Sequence, residues 1–316
     1  MKIAVLTSGG DAPGMNACVR AVVRSTINYG YEAYGVFDGY KGLYEGKIKK
    51  LDRNDVGQIL NRGGTILGSS RLESFKEISV RKVAVENLKA LGIDNLICIG
   101  GDGTFRGAMA LNEMDINCIA IPGTIDNDIA STEFTIGFFT ALDTAIDAID
   151  KLRDTSFSHQ RCTVVEVMGR NCGDLSIFAG IACGAEIVIT KDTGYNEEDI
   201  LKQVQNAKRL GKRHVIVVVA ENITDVFKLA QKIQEKSGYE ARATVLGYIQ
   251  RGGTPSAFDR ILASKMGVHA VDLITQGLGG YAIYTKSLDV RHIELDKALV
   301  TEVRPSDLYS YLQKLN

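Results

Sequence analysis

The chain of 316 residues carries almost no excess of charge: 37 Lys and Arg stand against 38 Asp and Glu, for a formal net charge of −1. Neither nucleic acid nor an anionic membrane would meet a broad basic field, so neither is an expected partner. Long apolar runs are missing too. The longest, Val215 to Ala220, is closed by Glu221, far short of the ~20 residues that cross a bilayer. The opening MKIAVLTSGGD has too short an apolar run for a signal peptide. The six cysteines, at 18, 98, 118, 162, 172 and 183, form no CxxC pair, and most lie in apolar segments such as Leu96-Ile97-Cys98-Ile99. Core thiols in a reducing cytoplasm fit that placement better than a metal site or disulfide framework. Proline is scarce, at 4 against 33 glycines, and no Pro/Ser-rich linker, solenoid repeat or low-complexity tract appears. Many tight turns without stiff linkers suit a compact enzyme. The length suggests about two domains, and 45% hydrophobic residues can fill a sizeable core.

Short apolar runs alternate with amphipathic stretches. Strands are expected at Lys2–Thr7, Glu32–Phe37, Asn95–Ile99, Asn117–Ile121, Thr163–Met168, Glu186–Ile189, Val215–Ala220 and Arg242–Leu246. Helices are expected over 16–28, 105–112, 137–153, 174–182, 197–209, 226–236 and 260–275. Another is marked by Val80, Val83, Ala84, Leu88 and Leu91, with Gly92 as its C-terminal cap. Strands alternating with helices imply an α/β fold, with mainly parallel sheets and helices on both faces. A boundary between two halves is expected near Gly137. Such sheets bind ligands where strand ends lead into helix N-termini.

Three strand ends carry chemistry. The first reads Ser8-Gly9-Gly10-Asp11-Ala12-Pro13-Gly14-Met15-Asn16. Glycines between a strand and a helix let backbone N–H groups approach a phosphate, and the helix dipole favours the anion. It is neither a P-loop nor a dinucleotide fingerprint; the formal G-x-G-x-x-A at Gly277, Gly279 and Ala282 follows a helix and precedes a strand, the wrong context. The second end is Gly100-Gly101-Asp102-Gly103-Thr104. Its single carboxylate suits a Mg²⁺ that also holds nucleotide phosphates, or an ordinary helix N-cap. The third is Pro122-Gly123-Thr124-Ile125-Asp126-Asn127-Asp128. Two carboxylates at i, i+2 can divide the work of accepting a proton and orienting a neighbour, although Asp/Asn/Thr clusters also make plain turns.

Later strand ends supply the positive charge that the composition hides: Arg161, Met168-Gly169-Arg170, Arg242, and Arg251 within Tyr248-Ile249-Gln250-Arg251-Gly252-Gly253. Four arginines beside strand ends could neutralise a crowded phosphate site, and Glu221 could hold sugar hydroxyls. Each arginine alone reads more readily as a surface ion pair.

With these residues the chain resembles the bacterial ATP-dependent 6-phosphofructokinase family. The matching segments are SGGDAPGMN, NRGGT, LGSSR, IGGDGT, PGTIDNDI, TIGFFTAL, RDTSFSHQR, VEVMGRNCGD, RATVLGYIQRGGTP and DRILASKMG, spread over residues 8 to 267. The resemblance implies two doubly wound α/β/α domains facing a cleft. Residues 1–138 plus about 251–301 would bind ATP; 139–250 plus about 302–316 would bind fructose 6-phosphate. It implies γ-phosphoryl transfer from ATP to the sugar's 1-hydroxyl in glycolysis, in the cytoplasm, with Mg²⁺. Gly9, Arg71, Leu72, Gly101, Asp102, Gly103 and Thr104 would hold ATP, with Asp102 serving the metal. Asp126 would be the base, steadied by Thr124 and Arg170. The sugar phosphate would meet Met168, Gly169, Arg170, Glu221, Tyr248 and Arg251. Arg161 and Arg242 would reach it from a neighbouring subunit of a homotetramer.

An effector site for ADP or phosphoenolpyruvate is also implied, at Arg20, Arg24, Arg153, Gly184, Glu186, Lys212, Arg213 and His214. Arg20 and Arg24 share a helix face by their i, i+4 spacing. Gln58 and Leu210 depart from the Asp and basic residue found there in related chains, so a weakened response is expected. Tyr248 stands where the family usually has His. Two rivals remain. A pyrophosphate-dependent relative would typically carry Asp and Lys where this chain has Gly103 and Gly123. A non-catalytic nucleotide-binding subunit should lack Asp102, Asp126 or the arginines, and all are present. A dinucleotide-dependent dehydrogenase lacks its fingerprint.

Overall fold

The computed structural model describes residues 1–302 and 308–315. In chain order the first elements are β1 (Lys2–Ser8), α1 (Met15–Asn28), β2 (Glu32–Val36), α2 (Gly39–Tyr44), β3 (Ile48–Leu51), α3 (Ile78–Ala90), β4 (Asn95–Gly100), α4 (Asp102–Asn112) and β5 (Asn117–Pro122). Then come α5 (Phe138–His159), β6 (Arg161–Val167), α6 (Asp174–Cys183), β7 (Ile187–Ile189), α7 (Glu197–Arg209), β8 (Val215–Ala220), α8 (Val226–Ser237) and β9 (Glu240–Val245). The last are α9 (Ala257–Thr275), β10 (Tyr281–Lys286), β11 (Asp289–Glu294) and α10 (Leu308–Leu315).

The chain divides into two compact units. The first comprises Met1–Ile125, Ile129–Thr140 and Arg251–Arg304; the second comprises Asp126–Asp128, Ala141–Gln250 and Pro305–Asn316. In the first, seven strands run in the order β11-β10-β5-β4-β1-β2-β3. The inner five are parallel, and the edge strands β3 and β11 pair antiparallel. One side of this sheet is filled by Leu6, Val36, Leu88, Leu96, Phe105, Leu111 and their neighbours. The second unit holds four parallel strands, β7-β8-β6-β9. Val164, Val215, Val217 and Val219 pack there on Ile200, Val204, Leu229 and Ile233 of α7 and α8. Crossover helices between parallel strands cover the sheet faces, so the strands read as near-continuous apolar runs; all six residues of β8 are buried.

The expected strands are present, with ends shifted by a residue or two. The differences have causes. α4 begins at Asp102 and not near residue 105, because helix geometry resumes right after the glycines. α5 runs on to His159 with no proline or glycine to stop it. α2, β3, β10, β11 and α10 lie outside the expected elements; in β3 the two middle residues are both exposed and β11 is mostly exposed, so neither strand shows an alternating pattern. The dismissed G-x-G-x-x-A lies between α9 and β10. Cys18, Cys98, Cys118, Cys162 and Cys183 are buried and Cys172 is half-buried, and all are free thiols. Burial pushes the Cys162 thiol up to about 12 and the Cys183 thiol up to about 11, so neither is a ready nucleophile. No helix among the described residues is long and apolar enough to cross a membrane.

Candidate active site

In the first unit, β1 ends at Ser8 and the chain turns through Gly9 into α1. Gly14 caps that helix at φ 106°, a left-handed value that favours glycine. Asn16, in the first turn of α1, binds a distant loop. Its Nδ2 donates to the carbonyls of Arg62 (3.0 Å) and Gly63 (3.2 Å), and its Oδ1 accepts from the Ile66 amide at 2.7 Å. The Thr7 hydroxyl donates to the Gly68 carbonyl at 2.8 Å, and the Ser69 hydroxyl to the Gly9 carbonyl. A Cβ on Gly63 would lie 2.3 Å from the Gly253 carbonyl oxygen, and one on Gly10 would lie 2.9 Å from Nη1 of Arg251. SGGDAPGMN, NRGGT, LGSSR and RGGTP, far apart in sequence, are therefore gathered at the end of β1.

β4 delivers the second glycine-rich end beside the first. Thr104 donates through its hydroxyl to the Ser8 carbonyl at 3.1 Å, tying the α4 N-terminus to β1. The buried Tyr40 donates to the Thr104 carbonyl at 2.6 Å and stacks on Phe75 at 4.3 Å. Phe75 lies in a 3₁₀ turn, Glu73–Lys76, directly after Arg71 and Leu72. One ring thus anchors both expected ATP-holding segments. Gly101 occupies the cap of α4 and Asp102 its first turn, so the N-cap reading of Asp102 is not what the structure shows. The Asp102 carboxylate accepts from Arg106 Nε at 3.1 Å, at the end of the helix that favours negative groups. A Cβ on Gly103 would meet nothing within 4 Å.

The third end follows β5. Thr124 donates its amide to the Ile136 carbonyl (3.1 Å) and accepts at its own carbonyl from the Thr135 hydroxyl (2.6 Å). The next residues, Gly137 and Thr140, are held from α9. Asp259 accepts from the Gly137 amide at 2.8 Å and from the Thr140 amide and hydroxyl at 2.7 and 2.5 Å. The buried carboxylate closes the open start of α5, where amide groups lack intrahelical partners.

The second unit builds a separate cluster at the C-terminal ends of β6 and β8. Glu221, right after β8, accepts at Oε1 from the amides of Gly169 (3.2 Å) and Arg170 (2.6 Å). Gln250 accepts from the Met168 amide at 3.4 Å. Arg170 pairs with Asp128 at 3.3 Å, and Asn127 donates to Asp174 at 2.7 Å. Asp126 is buried. Arg170 and Asn127 both have left-handed backbones, at φ 55° and 52°. Such conformations in non-glycine residues persist only where surroundings enforce them, and they cluster at functional sites. Glu221 therefore shapes the Met168–Arg170 loop.

The four-arginine reading needs correction. Arg161 opens β6, and Arg242 lies near the start of β9. Six residues of strand lie between Arg161 and Met168, a span of roughly 23 Å. Within one subunit these two arginines sit at the opposite end of the sheet from Arg170 and cannot share its ligand. Arg251 lies in the first unit against Gly10.

The family model "Phosphofructokinase" matches residues 2–274. The chain is 54% identical to an ATP-dependent 6-phosphofructokinase of Vibrio campbellii over 316 residues, 99% of each chain. The chain belongs to the phosphofructokinase family. It is accordingly an enzyme, a kinase by class, with the family's two-unit α/β fold. The phosphofructokinase structure from Saccharomyces cerevisiae superposes with a TM-score of 0.88 at 33% identity, covering 99% of this chain and 47% of that one. A pyrophosphate-dependent phosphofructokinase from Marinobacter aquaeolei superposes at 0.85 with 19% identity, over 100% and 91% of the two chains, which shows the shared fold alone.

Arg20 and Arg24 lie on α1, each with a buried Nε that has no hydrogen-bond partner among the described residues, and burial, with Arg24 beside it, lowers the Arg20 pKa. In the second unit Arg153 meets His214 at 3.4 Å and the Cys183 carbonyl, next to Gly184. Lys212 pairs with Glu186 at 3.4 Å. Leu210 ends α7 and is exposed, as is Gln58. Sequence reasoning missed Asn16, Ser69, Tyr40, Gln250 and Asp259 as supports. All but Tyr40 lie inside quoted motifs, so motif membership was the available signal; Tyr40 gave none.

Tyr248 is 79% exposed, so its ring is not packed on the sheet of its own subunit. The expectation is that Tyr248 meets the sugar phosphate, where a phenol can donate one hydrogen bond without bringing charge. Tyr248→Phe should raise KM for fructose 6-phosphate several-fold, within the roughly fivefold that about 1 kcal/mol allows, with KM for ATP unchanged. Tyr248→His should lower it, most clearly on the acidic side where imidazole charges. Steady-state kinetics checks both; a Phe variant with unaltered KM and kcat contradicts a ligand role.

Proposed function

We propose that the chain transfers the γ-phosphoryl group of ATP to the 1-hydroxyl of fructose 6-phosphate, giving fructose 1,6-bisphosphate and ADP in glycolysis. The observation that carries this reading is the gathering of two glycine-rich strand ends, Ser8–Gly10 and Gly100–Thr104, beside Arg71 and Leu72. Backbone amides there, with the α4 N-terminus, suit the phosphates of ATP. Phosphoryl transfer asks for positioning and charge neutralisation more than covalent chemistry. Asp126 takes the proton of the attacking hydroxyl. Thr124 and Arg170 steady the moving group, and Met168, Gly169, Glu221, Tyr248 and Arg251 hold the sugar phosphate.

Asp102 fits a divalent cation. It offers hard oxygen at a helix N-terminus, partly open to solvent. Among the described residues no group of three or more His, Cys, Asp or Glu could hold a metal by itself, which suits an ion carried largely by phosphates and water. Mg²⁺ bound there would neutralise charge on the ATP phosphates. Arg161 and Arg242, remote from Arg170 in their own subunit, serve a neighbour's sugar phosphate in a homotetramer. Arg20, Arg24, Arg153, Gly184, Glu186, Lys212 and His214 receive ADP or phosphoenolpyruvate. Gln58 and Leu210 weaken that response, so the fructose 6-phosphate velocity curve should shift little at micromolar effector; a strong shift would contradict this.

ATP is favoured over pyrophosphate as donor. Gly103 leaves open space beside the phosphates, and a Cβ on Gly123 would come within 3.0 Å of the Ile99 side chain, so the site is not shaped for a lysine there. Initial rates with MgATP and with pyrophosphate separate the two: turnover should depend on ATP, and equal rates would overturn the donor assignment.

A further inference from the structure

Glu240 opens β9 opposite Arg161 of β6, in a parallel register that also sets Arg242 against Thr163. Residues two apart in a strand share a sheet face, so Glu240 and Arg242 point the same way, and Arg161 lies beside them. The intervening Cys162 and Ala241 turn to the core under α7 and α8. The Glu240 carboxylate is divided between the two arginines: Oε2 accepts from Arg161 Nε at 2.8 Å, and Oε1 from Arg242 Nη2. Arg242 is further fixed through Nη1, by the Ala241 carbonyl at 3.2 Å and by Gln234 of α8 at 3.5 Å. The base of the cluster is rigid, because the preceding residue, Tyr239, is buried and donates to the Lys212 carbonyl at 2.6 Å.

We propose that Glu240 is a positioning residue that yokes Arg161 and Arg242 into one phosphate-binding pair. The inference rests on the reading that those arginines serve a sugar phosphate. Two adjacent guanidinium groups repel each other and swing on long side chains. A carboxylate shared between them removes the repulsion and fixes their spacing, while the cluster keeps a net charge of +1 and Arg161 keeps both Nη groups for a ligand. Among the described residues, His159 at the end of α5 also acts on the carboxylate, and the Arg161 hydrogen bond, ahead of Arg242 and His159, holds Glu240 below the usual carboxylate range.

The test is steady-state kinetics on the full-length assembled enzyme, with sedimentation to check assembly. Glu240→Gln should raise KM for fructose 6-phosphate about three- to tenfold, with kcat within twofold and KM for ATP unchanged; Glu240→Asp should recover part of the loss. Arg161→Ala should cost much less in the Glu240→Gln background than in the parent. A lowered KM in Glu240→Gln would show that the carboxylate masks the arginines and would overturn the proposal, as would an unchanged KM. Arg161→Ala and Arg242→Ala separate the underlying reading. If neither raises KM, that reading fails; if both do while Glu240→Gln does not, only the yoke fails.

Discussion

Replacing Asp126 by alanine should lower kcat by about 100- to 10,000-fold, the range that a positioned general base contributes, while ATP binding persists. Asp126 is buried, and the residue after it is fixed in a left-handed conformation by the Asn127–Asp174 hydrogen bond. Arg170 meets Asp128, two residues on, so Arg170 and the loop that carries Asp126 are set by one another. Removing the Asp126 carboxylate leaves those supports in place, so the loss should fall on the chemical step. The expected ATP ligands all lie in other segments. Rapid-quench measurement of the chemical step, paired with calorimetric titration of ATP, reads both quantities. An unchanged kcat would remove Asp126 as the base, and loss of ATP binding would show that the loop had collapsed.

Gly103→Asp should weaken ATP far more than it disturbs the fold. A side chain at this position meets open space, and an acidic residue in the first turn of α4 is favoured by the helix dipole and by helix propensity. The melting temperature should therefore hold or rise. On the proposed reading the new carboxylate sits beside the nucleotide phosphates. At an effective dielectric near 20, one unit charge ~5 Å away costs about 3 kcal/mol, which is roughly 150-fold in affinity. KM for ATP should rise by about two orders of magnitude with KM for fructose 6-phosphate little changed. An ATP KM within a few-fold of the parent would place the phosphates elsewhere.

The strand-and-helix alternation was legible because buried parallel strands are continuous apolar runs, as in Val215–Ala220, and their crossover helices are periodic. The antiparallel edges were not, since Ile48–Leu51 and Asp289–Glu294 are too exposed to show a pattern. Strand-end chemistry was readable for the same reason: Gly9, Asp102 and Asp126 sit where apolar runs stop. What periodicity cannot carry is a contact between segments distant in sequence. Asn16 gripping residues 62–66, Tyr40 bonding Thr104, and Asp259 capping α5 become visible only in three dimensions. Arg161 and Arg242 show the limit most clearly. Their place at strand starts is visible in sequence, but that β6 and β9 are parallel neighbours, which brings both arginines together beside Glu240, is not.

The most direct test of the central claim is product formation by the purified enzyme, followed by ³¹P NMR with fructose 6-phosphate, ATP and Mg²⁺. One fructose 1,6-bisphosphate should appear for each ADP, and no ADP should form at a comparable rate when the sugar phosphate is omitted. ADP formed at the same rate without fructose 6-phosphate, or no phosphoryl transfer at all, would contradict the account.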